Sequence, residues 1–399
     1  MEYKLWQNAW KDDPSYQVAL DLPEEWQAEL HEMAGDRWPA LDDQALRQAV
    51  LEPLGMPPIR EMAQGKKSAA IVFDDMTRPT PAWRFLPVIL EELQAAGVPQ
   101  EEIRFLCAVG THGPLNRKET VQKLGEDIVE NYPVYSHNCY EHCVKIGVNS
   151  RGDDVLVDAE FMRCEVRIGI GCVAPHPMNG YSGGGKLLFP GMAHIDTTEK
   201  NHRRREFLTP GNTALCGLRR DIDEMTRMTG PFFLIDVVMN AKLDVVGAFA
   251  GDPFQVYQQA AALSAQANRM ELGEPKDIVI TNANAKFNEA FIAVKIARKE
   301  LKPGGDIVIV NHCPTGPVVH YLYGSPGKDV SGRCPLPRGQ QLPDGGRVIC
   351  WSPYPVKNPQ QWDVQWAKTW PDVLALLRER HPGPAQVSIL SDGSIGYWG

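Results

Sequence analysis

The chain has 399 residues, of which 43% are apolar and 23% charged, and its formal net charge is −9. This length allows about two or three domains, each with its own hydrophobic core. Acidic and basic residues are mixed, and the longest basic run is the arginine triplet at 203–205. The sequence therefore offers no broad basic face for nucleic acid or for an anionic membrane.

The cellular compartment is indicated by two features. The N-terminal stretch MEYKLWQNAWKDD has no apolar core of the signal-peptide type, and no apolar run of about 18 residues, the length that crosses a membrane, follows it. The nine cysteines are scattered, and several lie inside strand-like runs, as buried thiols do in a reducing compartment. We expect a cytoplasmic protein with no membrane partner.

Strand-like apolar runs alternate with segments of helical periodicity along the whole chain. In the first part we predict strands and helices in this order: strand 67–75, helix 82–97, strand 102–110, a helix near 117–129, and strands 152–157 and 165–173. After a helical stretch at 253–272 we predict strand 276–283, helix 287–301, strand 304–312, a loop-rich segment 313–347, helix 370–380 and strand 387–390.

This alternation is typical of βαβ units and predicts the α/β class. We expect two α/β domains with largely parallel sheets, 1–270 and 271–399, and an active site in the cleft between them. The first domain would carry the cofactor and the catalytic histidines, and the second would close over the substrate.

Polar, glycine-rich segments follow three of the predicted strands: DDMTRPTP at 74–81, GTHGPL at 110–115 and APHPMNGYSGGGK at 174–186. Ligands of open α/β sheets bind at the carboxyl ends of strands. The three loops therefore predict a binding site at one edge of the first sheet.

The third loop nearly matches a phosphate-binding loop, since residues 180–187 read GYSGGGKL. That motif requires Ser or Thr after the lysine and a helix directly behind it, whereas this chain has Leu187 there and Pro190 soon after. Three interpretations remain: a phosphate loop, a flexible turn with a surface lysine, or a lysine that glycines bring close to a ligand. A desolvated lysine in the third case can act as a nucleophile or as an attachment point.

Histidines cluster in and beside these loops, at His112, His176, His194 and His202. Two imidazoles on separate loops could flank one substrate carbon as acid and base, and neutral imidazole also binds nickel, copper or zinc. We expect a structural role for His194.

The first loop suggests an anion site. Thr80 is a suitable N-cap with Pro81 as the first helical residue, and Arg78 could bind a carboxylate or phosphate in bidentate fashion. The alternative is a local salt bridge between Asp75 and Arg78. A separate cluster in SHNCYEHC at 136–143 has four metal-ligand types but lacks the second ligand pair usual for structural zinc.

Taken in order, DDMTRPTP, GTHGPL, PHPMNGYSGGGKLLFPG and the NH pair at 201–202 resemble the nickel-dependent lactate racemase family, which comprises racemases and epimerases of 2-hydroxy acids. The resemblance implies a nickel pincer nucleotide, Ni(II)-pyridinium-3,5-bisthiocarboxylate mononucleotide, as cofactor. It also implies hydride transfer from C2 of the substrate and back to the opposite face, through a 2-keto acid.

The resemblance assigns roles to matching residues. Lys186 would bind the cofactor covalently, His202 would complete the nickel coordination, and His112 and His176 would be the two acid–base catalysts. The cofactor would also be contacted by Asp75, Met76, Thr77 and Arg78.

The second domain departs from the family pattern. Lactate-specific members have a glutamine three residues before a lysine on its first helix, and here AFIAVK has Ile292 before Lys295. Lys295 and Arg78 remain candidates for binding the substrate, but Ile292 argues against lactate itself because it cannot donate a hydrogen bond to a carboxylate.

The predicted partners are a small 2-hydroxy acid and, transiently, the enzymes that build the cofactor; whether the chain forms a homo-oligomer is left open. The alternatives from the residues alone are a nucleotide-dependent enzyme of the phosphate-loop type, a zinc hydrolase that uses the histidine loops, or a non-catalytic relative that stores the cofactor.

Overall fold

The computed structural model describes residues 2–203, 216–314, 319–324, 332–334, 341–355 and 363–398. The basic run at 203–205 therefore lies largely outside the described residues. No helix in the described ranges is both long and apolar enough to cross a membrane.

The strands of the described residues are, in chain order, β1 (Glu2–Trp6), β2 (Gln17–Asp21), β3 (Gln27–His31), β4 (Ala69–Asp74), β5 (Ile103–Ala108), β6 (Val134–Ser136), β7 (Cys143–Val148), β8 (Asp154–Asp158), β9 (Val166–Cys172), β10 (Pro175–His176), β11 (Gly180–Tyr181), β12 (Phe233–Met239), β13 (Val245–Gly251), β14 (Lys276–Asn282), β15 (Leu301–Val310), β16 (Arg347–Trp351), β17 (Val364–Ala367) and β18 (Gln386–Leu390).

The α-helices of the same residues are α1 (Asp43–Leu51), α2 (Ile59–Met62), α3 (Leu86–Ala95), α4 (Arg117–Leu124), α5 (Glu126–Asn131), α6 (Ala159–Arg163), α7 (Ile195–His202), α8 (Gly217–Met228), α9 (Pro253–Ala267), α10 (Ala293–Ala297) and α11 (Trp370–Arg380).

The first large sheet has six strands in the order β13-β12-β9-β4-β5-β6. Its strand pairs are parallel except for the antiparallel pair β12–β13. Strand β4 is buried along its whole length because helices cover both faces. Ile71 and Phe73 pack with α3 on one face, whereas Ala70 and Val72 pack with α8 on the other.

The second large sheet has the order β17-β16-β15-β14-β18-β3, and all of its strand pairs are parallel. Val373 and Leu377 of α11 pack on one face and Val294 of α10 packs on the other. The predicted fold class, two α/β domains with largely parallel sheets, is confirmed.

The N-terminal segment differs from the predicted domain division. Strand β3 pairs with β18, and Leu5 and Leu20 of the β1–β2 hairpin pack in the same core as Ile280 of β14. Strand β3 thus belongs to the second sheet and the separate β1–β2 hairpin packs in its core, although the sequence places residues 2–31 in a first domain of 1–270. Nothing local signals this position, because the partner strand lies at the other end of the chain.

Individual elements agree with the sequence where their signals are local. Helix α11 has the predicted bounds, with a capping box between Thr369 and Asp372.

Other predicted elements differ from the structure. The predicted helix 287–301 is broken into a 3₁₀ turn (Phe287–Ile292), α10 and a second 3₁₀ turn (Arg298–Glu300). The predicted strand 152–157 lies outside both large sheets, since β8 pairs with β7. No prediction covers α8, β12 or β13.

Candidate active site

A cavity of about 170 Å³ lies at the carboxyl ends of β4, β5 and β9, where the three polar loops leave the first sheet. Its lining includes these predicted site residues: Asp75, Thr77, Arg78, His112, His176, Lys186 and His202. The side chain of Met76 does not line it; Met76 is buried, and its carbonyl accepts a hydrogen bond from the indole of Trp10 at 2.8 Å.

Asp75 orients His112. One carboxylate oxygen lies 2.6 Å from His112 Nδ1, and the other accepts the backbone N–H of Thr77 at 3.0 Å. Although burial disfavours its charged form, His112, Thr77 and Arg78 lower the pKa of Asp75 to about 2. An ionised carboxylate can only accept, so the proton of a neutral His112 lies on Nδ1 and its Nε2 has a free lone pair. This nitrogen is therefore suited to act as a base.

Thr80 does not cap a helix, so the predicted anion site at a helix start is wrong. Its hydroxyl donates to Asp74, which also accepts from Lys123 Nζ at 2.5 Å. Only a three-residue 3₁₀ turn follows Pro81, without a side-chain cap, and α3 begins later at Leu86. The buried carboxylate of Asp74 needs donors, and Thr80 serves that need instead.

Arg78 forms its ion pair with the second half of the chain. Its Nη2 lies 3.7 Å from Glu289 Oε2, and its Nη1 donates to the Thr77 carbonyl at 2.9 Å. Because Asp75 is paired with His112, the alternative of an Asp75–Arg78 bridge that stiffens the turn does not describe this loop. Arg78 instead joins the two halves across the cavity.

His176 and Lys186 are neighbours in the cavity wall, with 3.2 Å between His176 Nε2 and Lys186 Nζ. Burial, Lys186 and Lys286 hold the pKa of His176 well below its usual value, and burial and Arg78 hold the pKa of Lys186 well below its own. The Met178 amide donates to His176 Nδ1 at 3.1 Å. A neutral His176 therefore has its proton on Nε2, facing the Lys186 amine, whose lowered pKa favours the nucleophilic form.

The glycines before Lys186 pack closely against the protein, and Gly183 also lines the cavity. A Cβ on Gly183 would lie 2.4 Å from Val173, one on Gly184 2.9 Å from Tyr257, and one on Gly185 2.1 Å from the Thr226 hydroxyl. The 3₁₀ turn Gly184–Leu187 is thus packed closely on the protein beneath it. Glycine is required there because larger side chains from other elements fill the space.

His202 ends α7 and also lines the cavity. Its Nδ1 lies 3.0 Å from the Thr198 carbonyl, which can only accept, so a neutral His202 has a free lone pair on Nε2. Burial and the nearby Lys186 lower the pKa of His202 to about 4. The imidazole is therefore in its metal-binding form near neutral pH.

Comparison with known protein families gives a match over the part of the chain that contains these site residues. Residues 15–214, half of the chain, match the sequence model of the lactate racemase N-terminal domain. The chain belongs to the lactate racemase family. The predicted family is confirmed.

Two curated members of the family are similar over most of their length. The lactate racemase of Lactiplantibacillus plantarum is 28% identical over 316 residues, which cover 73% of this chain and 74% of that protein. The lactate racemase of Thermoanaerobacterium thermosaccharolyticum is 26% identical over 312 residues, with 75% and 73% covered.

Solved structures share the fold. The lactate racemase apoprotein of T. thermosaccharolyticum superimposes with a TM-score of 0.73 at 21% identity and covers both chains completely. A Thermotoga maritima protein superimposes with a TM-score of 0.61 at 15% identity, covering 90% of this chain and 98% of that one.

In this member of the lactate racemase family, Asp236 and His320 line the cavity although no prediction named them. Asp236 of β12 accepts the Gly184 amide at 2.7 Å, and burial raises its pKa to about 7. An aspartate inside the apolar run FFLIDVVM was a usable signal, since a buried carboxylate in a strand is rarely structural alone. His320 lies beside His112, with ring centroids 4.9 Å apart, and only a lone histidine in a loop-rich segment marked it.

Lys295 does not line the cavity, although the sequence suggests that it binds substrate. It lies on α10, beyond the 3₁₀ turn that ends at Ile292. Among the described residues beyond 270, the cavity is lined by Glu289, His320 and Tyr323.

The remaining candidates have structural roles. His194 caps α7, its Nδ1 accepting the Asp196 amide at 3.2 Å, as expected. In the 136–143 cluster, His137 uses both ring nitrogens, toward Asp158 at 2.8 Å and the Ala193 carbonyl at 3.1 Å. Within the part of the chain that the structure describes, no group of three or more His, Cys, Asp or Glu side chains is arranged to bind a metal ion.

Proposed function

We propose that this chain is a racemase or C2-epimerase of a 2-hydroxy acid that uses a nickel pincer nucleotide attached to Lys186. The observation that carries the proposal is that His112 and His176, whose Nδ1 atoms contact a carboxylate and a backbone amide respectively, line one cavity together with the buried Lys186. The names of the family relatives support the reaction class.

The residues around the cavity fit such a cofactor. Lys186 is buried with a strongly lowered pKa, so its amine is available for a covalent bond. His202 presents one neutral nitrogen, and a single protein ligand suffices for a metal whose other ligands belong to the cofactor. Asp236 has an oxygen that is buried and makes no hydrogen bond to any described residue, as expected beside a polar ligand. The loop at 75–78 would contact the same ligand, mainly through Thr77 and Arg78, which line the cavity.

The bound cofactor would supply a reversible acceptor for the hydrogen and electron pair at C2. The protein's own part is proton transfer. His112 Nε2, free because Asp75 holds Nδ1, would take the proton of the 2-hydroxyl group when substrate lies on its side. His176 Nε2, which carries the proton of the neutral ring, would donate a hydrogen bond to the 2-oxygen from the other side of the cavity, and His112 would return its proton as the 2-hydroxyl group re-forms. Arg78 provides a fixed positive charge for the substrate carboxylate or a cofactor phosphate.

Two partners follow from this proposal. The protein would meet the cofactor-building enzymes transiently, and its substrate would be a small 2-hydroxy acid in the cytoplasm. We do not assign Lys295 a substrate contact, because it lies outside the cavity lining.

The test begins with chain produced together with the cofactor-building enzymes. Intact mass should show an adduct that maps to Lys186, and metal analysis should give about one nickel per chain. Lys186→Arg, which keeps a long nitrogen-bearing side chain but cannot be acylated in the same way, should carry no adduct. Properly matured protein without an adduct would contradict the proposal.

The same preparation tests the reaction. A 2-hydroxy acid deuterated at C2 should keep the deuterium in the product of opposite configuration, because the hydrogen leaves and returns without exchange. Extensive entry of solvent hydrogen at C2 would instead indicate simple proton abstraction from carbon.

A further inference from the structure

We propose that the substrate is a 2-hydroxy acid with at least one further hydroxyl group beyond C2, and that Glu289 is the residue that binds this hydroxyl. The inference rests on the proposed function and specifies its substrate class.

Glu289 enters the cavity from the second half of the chain. It lies in the 3₁₀ turn Phe287–Ile292 that follows β14, and it lines the same cavity as His112 and His176. Its Oε2 atom is buried and accepts no hydrogen bond from any described residue, although the side chain as a whole keeps 36% exposure. The nearest cation, Arg78, is 3.7 Å away, beyond hydrogen-bond distance.

The charge of Glu289 defines what it can bind. Burial disfavours the carboxylate, but Arg78 and Lys286 outweigh this and lower the pKa of Glu289. An ionised carboxylate accepts hydrogen bonds and donates none. A buried acceptor without a donor is costly, so a ligand that supplies an O–H or N–H group there is favoured over one that presents a methyl group.

The other cavity residues beyond 270 agree with a polar substrate. They are His320 and Tyr323. Together with Glu289, they mean that each described cavity residue beyond position 270 has a side chain with a hydrogen-bonding group. The apolar part of the lining comes from the first half, for example from Val109, Met178 and Leu187. A short apolar side chain that points toward the second half would therefore meet polar groups only.

A hydroxyl group is a better donor to Glu289 than an ammonium group. Arg78 and Lys286 already influence the pKa of Glu289, and burial, together with repulsion by Arg78, lowers the pKa of Lys286 to about 8. A further cation would be repelled by Arg78, whereas a neutral hydroxyl donates without added charge.

The experiment uses matured protein and a matched pair of substrates, glycerate and lactate, which differ by one hydroxyl at C3. Threonate and gluconate extend the hydroxylated chain. We expect kcat/KM for the best hydroxylated acid to exceed that for lactate at least about tenfold. Glu289→Leu should lower it by about 10- to 100-fold and should lower kcat/KM for lactate less, so that the preference for the hydroxylated acid falls at least about tenfold.

Two controls separate binding from structure. Glu289→Gln keeps an acceptor oxygen and should retain more of the preference for hydroxylated acids than Glu289→Leu. Adduct mass and nickel content should be unchanged in both variants, because loss of the Arg78 partner could otherwise disturb the cofactor.

Each contrary outcome has a distinct meaning. Lactate as the best substrate would overturn the inference and leave the proposed function standing. An equal loss on lactate and glycerate in Glu289→Leu would mean that Glu289 is only a counter-ion for Arg78. Preference for 3-amino-2-hydroxypropanoate over glycerate would reject the hydroxyl group. Failure to turn over any acid, with adduct and nickel present, would remove the proposed function and the inference with it.

Discussion

Single hydrogen bonds fix the proton positions on the three predicted histidines of the cavity. Asp75 holds the proton of His112 on Nδ1, the Thr198 carbonyl does the same for His202, and a backbone amide keeps Nδ1 of His176 free of a proton. The residue type alone does not determine which nitrogen reacts. The neighbour of each ring determines it.

At this scale we predict that Asp75→Asn impairs catalysis without unfolding the protein. The amide can donate to His112 Nδ1, which would favour the tautomer with its proton on Nε2 and remove the base. We expect kcat/KM to fall about 10²- to 10⁴-fold, and by the same factor in both directions because the equilibrium between the isomers is unchanged. Stopped assays by chiral chromatography would measure this.

The chain offers a matched control in Asp158→Asn. Asp158 pairs with His137 Nδ1 at 2.8 Å, as Asp75 does with His112, but this pair does not line the cavity. Activity should stay within about twofold of the wild type, since asparagine can still cap α6. Equal losses in the two variants would show that the effect of Asp75 is structural.

At the scale of elements, the turn that carries Lys186 depends on close packing with α8 and α9. The Gly184 amide donates a hydrogen bond to Asp236 of β12. Tyr257 and Thr226 occupy the space that a side chain at Gly184 or at Gly185 would need. The resemblance of this segment to a phosphate loop therefore reflects packing of the turn against the protein.

We predict that Gly185→Ala destabilises the folded chain. The new Cβ would lie 2.1 Å from the Thr226 hydroxyl, and such overpacking costs about 1–3 kcal/mol. Adding Thr226→Ala should restore part of the loss, because the nearest remaining contact is then about the 3.1 Å to Ile222. Thermal unfolding would measure both variants.

Gly383→Ala is the control for this prediction, because nothing lies within 4 Å of a Cβ there and no unusual φ angle is involved. Its Tm should match the wild type closely. A Gly185→Ala chain with unchanged Tm but less adduct on Lys186 would support the original interpretation, in which the glycines admit the cofactor.

At the scale of the molecule, strand β3 near the N-terminus forms one edge of the second sheet and is not part of the first. His31 at the end of β3 lies 3.2 Å from the fully buried Glu300, and its Nδ1 donates to the Glu271 carbonyl at 2.9 Å. The neighbouring Glu300, opposed by burial, raises the pKa of His31 above its usual 6.5. This contact therefore joins the end of β3 to the residue before β15.

The raised pKa gives a stability prediction with a defined sign. The contribution of His31 is fully present below about pH 6.5, its ordinary pKa, and is lost as pH rises through the higher folded-state pKa. The Tm difference between wild type and His31→Gln should thus be larger at pH 6 than at pH 9. Equal differences at the two pH values would mean that His31 contributes through packing alone.

Much of the site was predictable because its signals are local. Each of three polar loops follows the carboxyl end of a buried parallel strand. The loops therefore bring Asp75, His112 and Lys186 to one edge of the sheet, independently of the rest of the chain. The strands β4, β5 and β9 are apolar on both faces, so their periodicity and their helical neighbours identified the fold class. The bounds of α11 followed from its capping residues.

The sequence by itself determined the α/β class, the three loops and the types of side chain that they carry, because these depend on neighbours within a few residues. The tertiary structure alone decided that β3 completes the second sheet, that Glu289 and His320 complete the cavity, and that Lys295 stays outside it. It also decided which ring nitrogens carry protons. These features depend on contacts between segments far apart in the chain, which burial and charge select only after the two sheets have packed together.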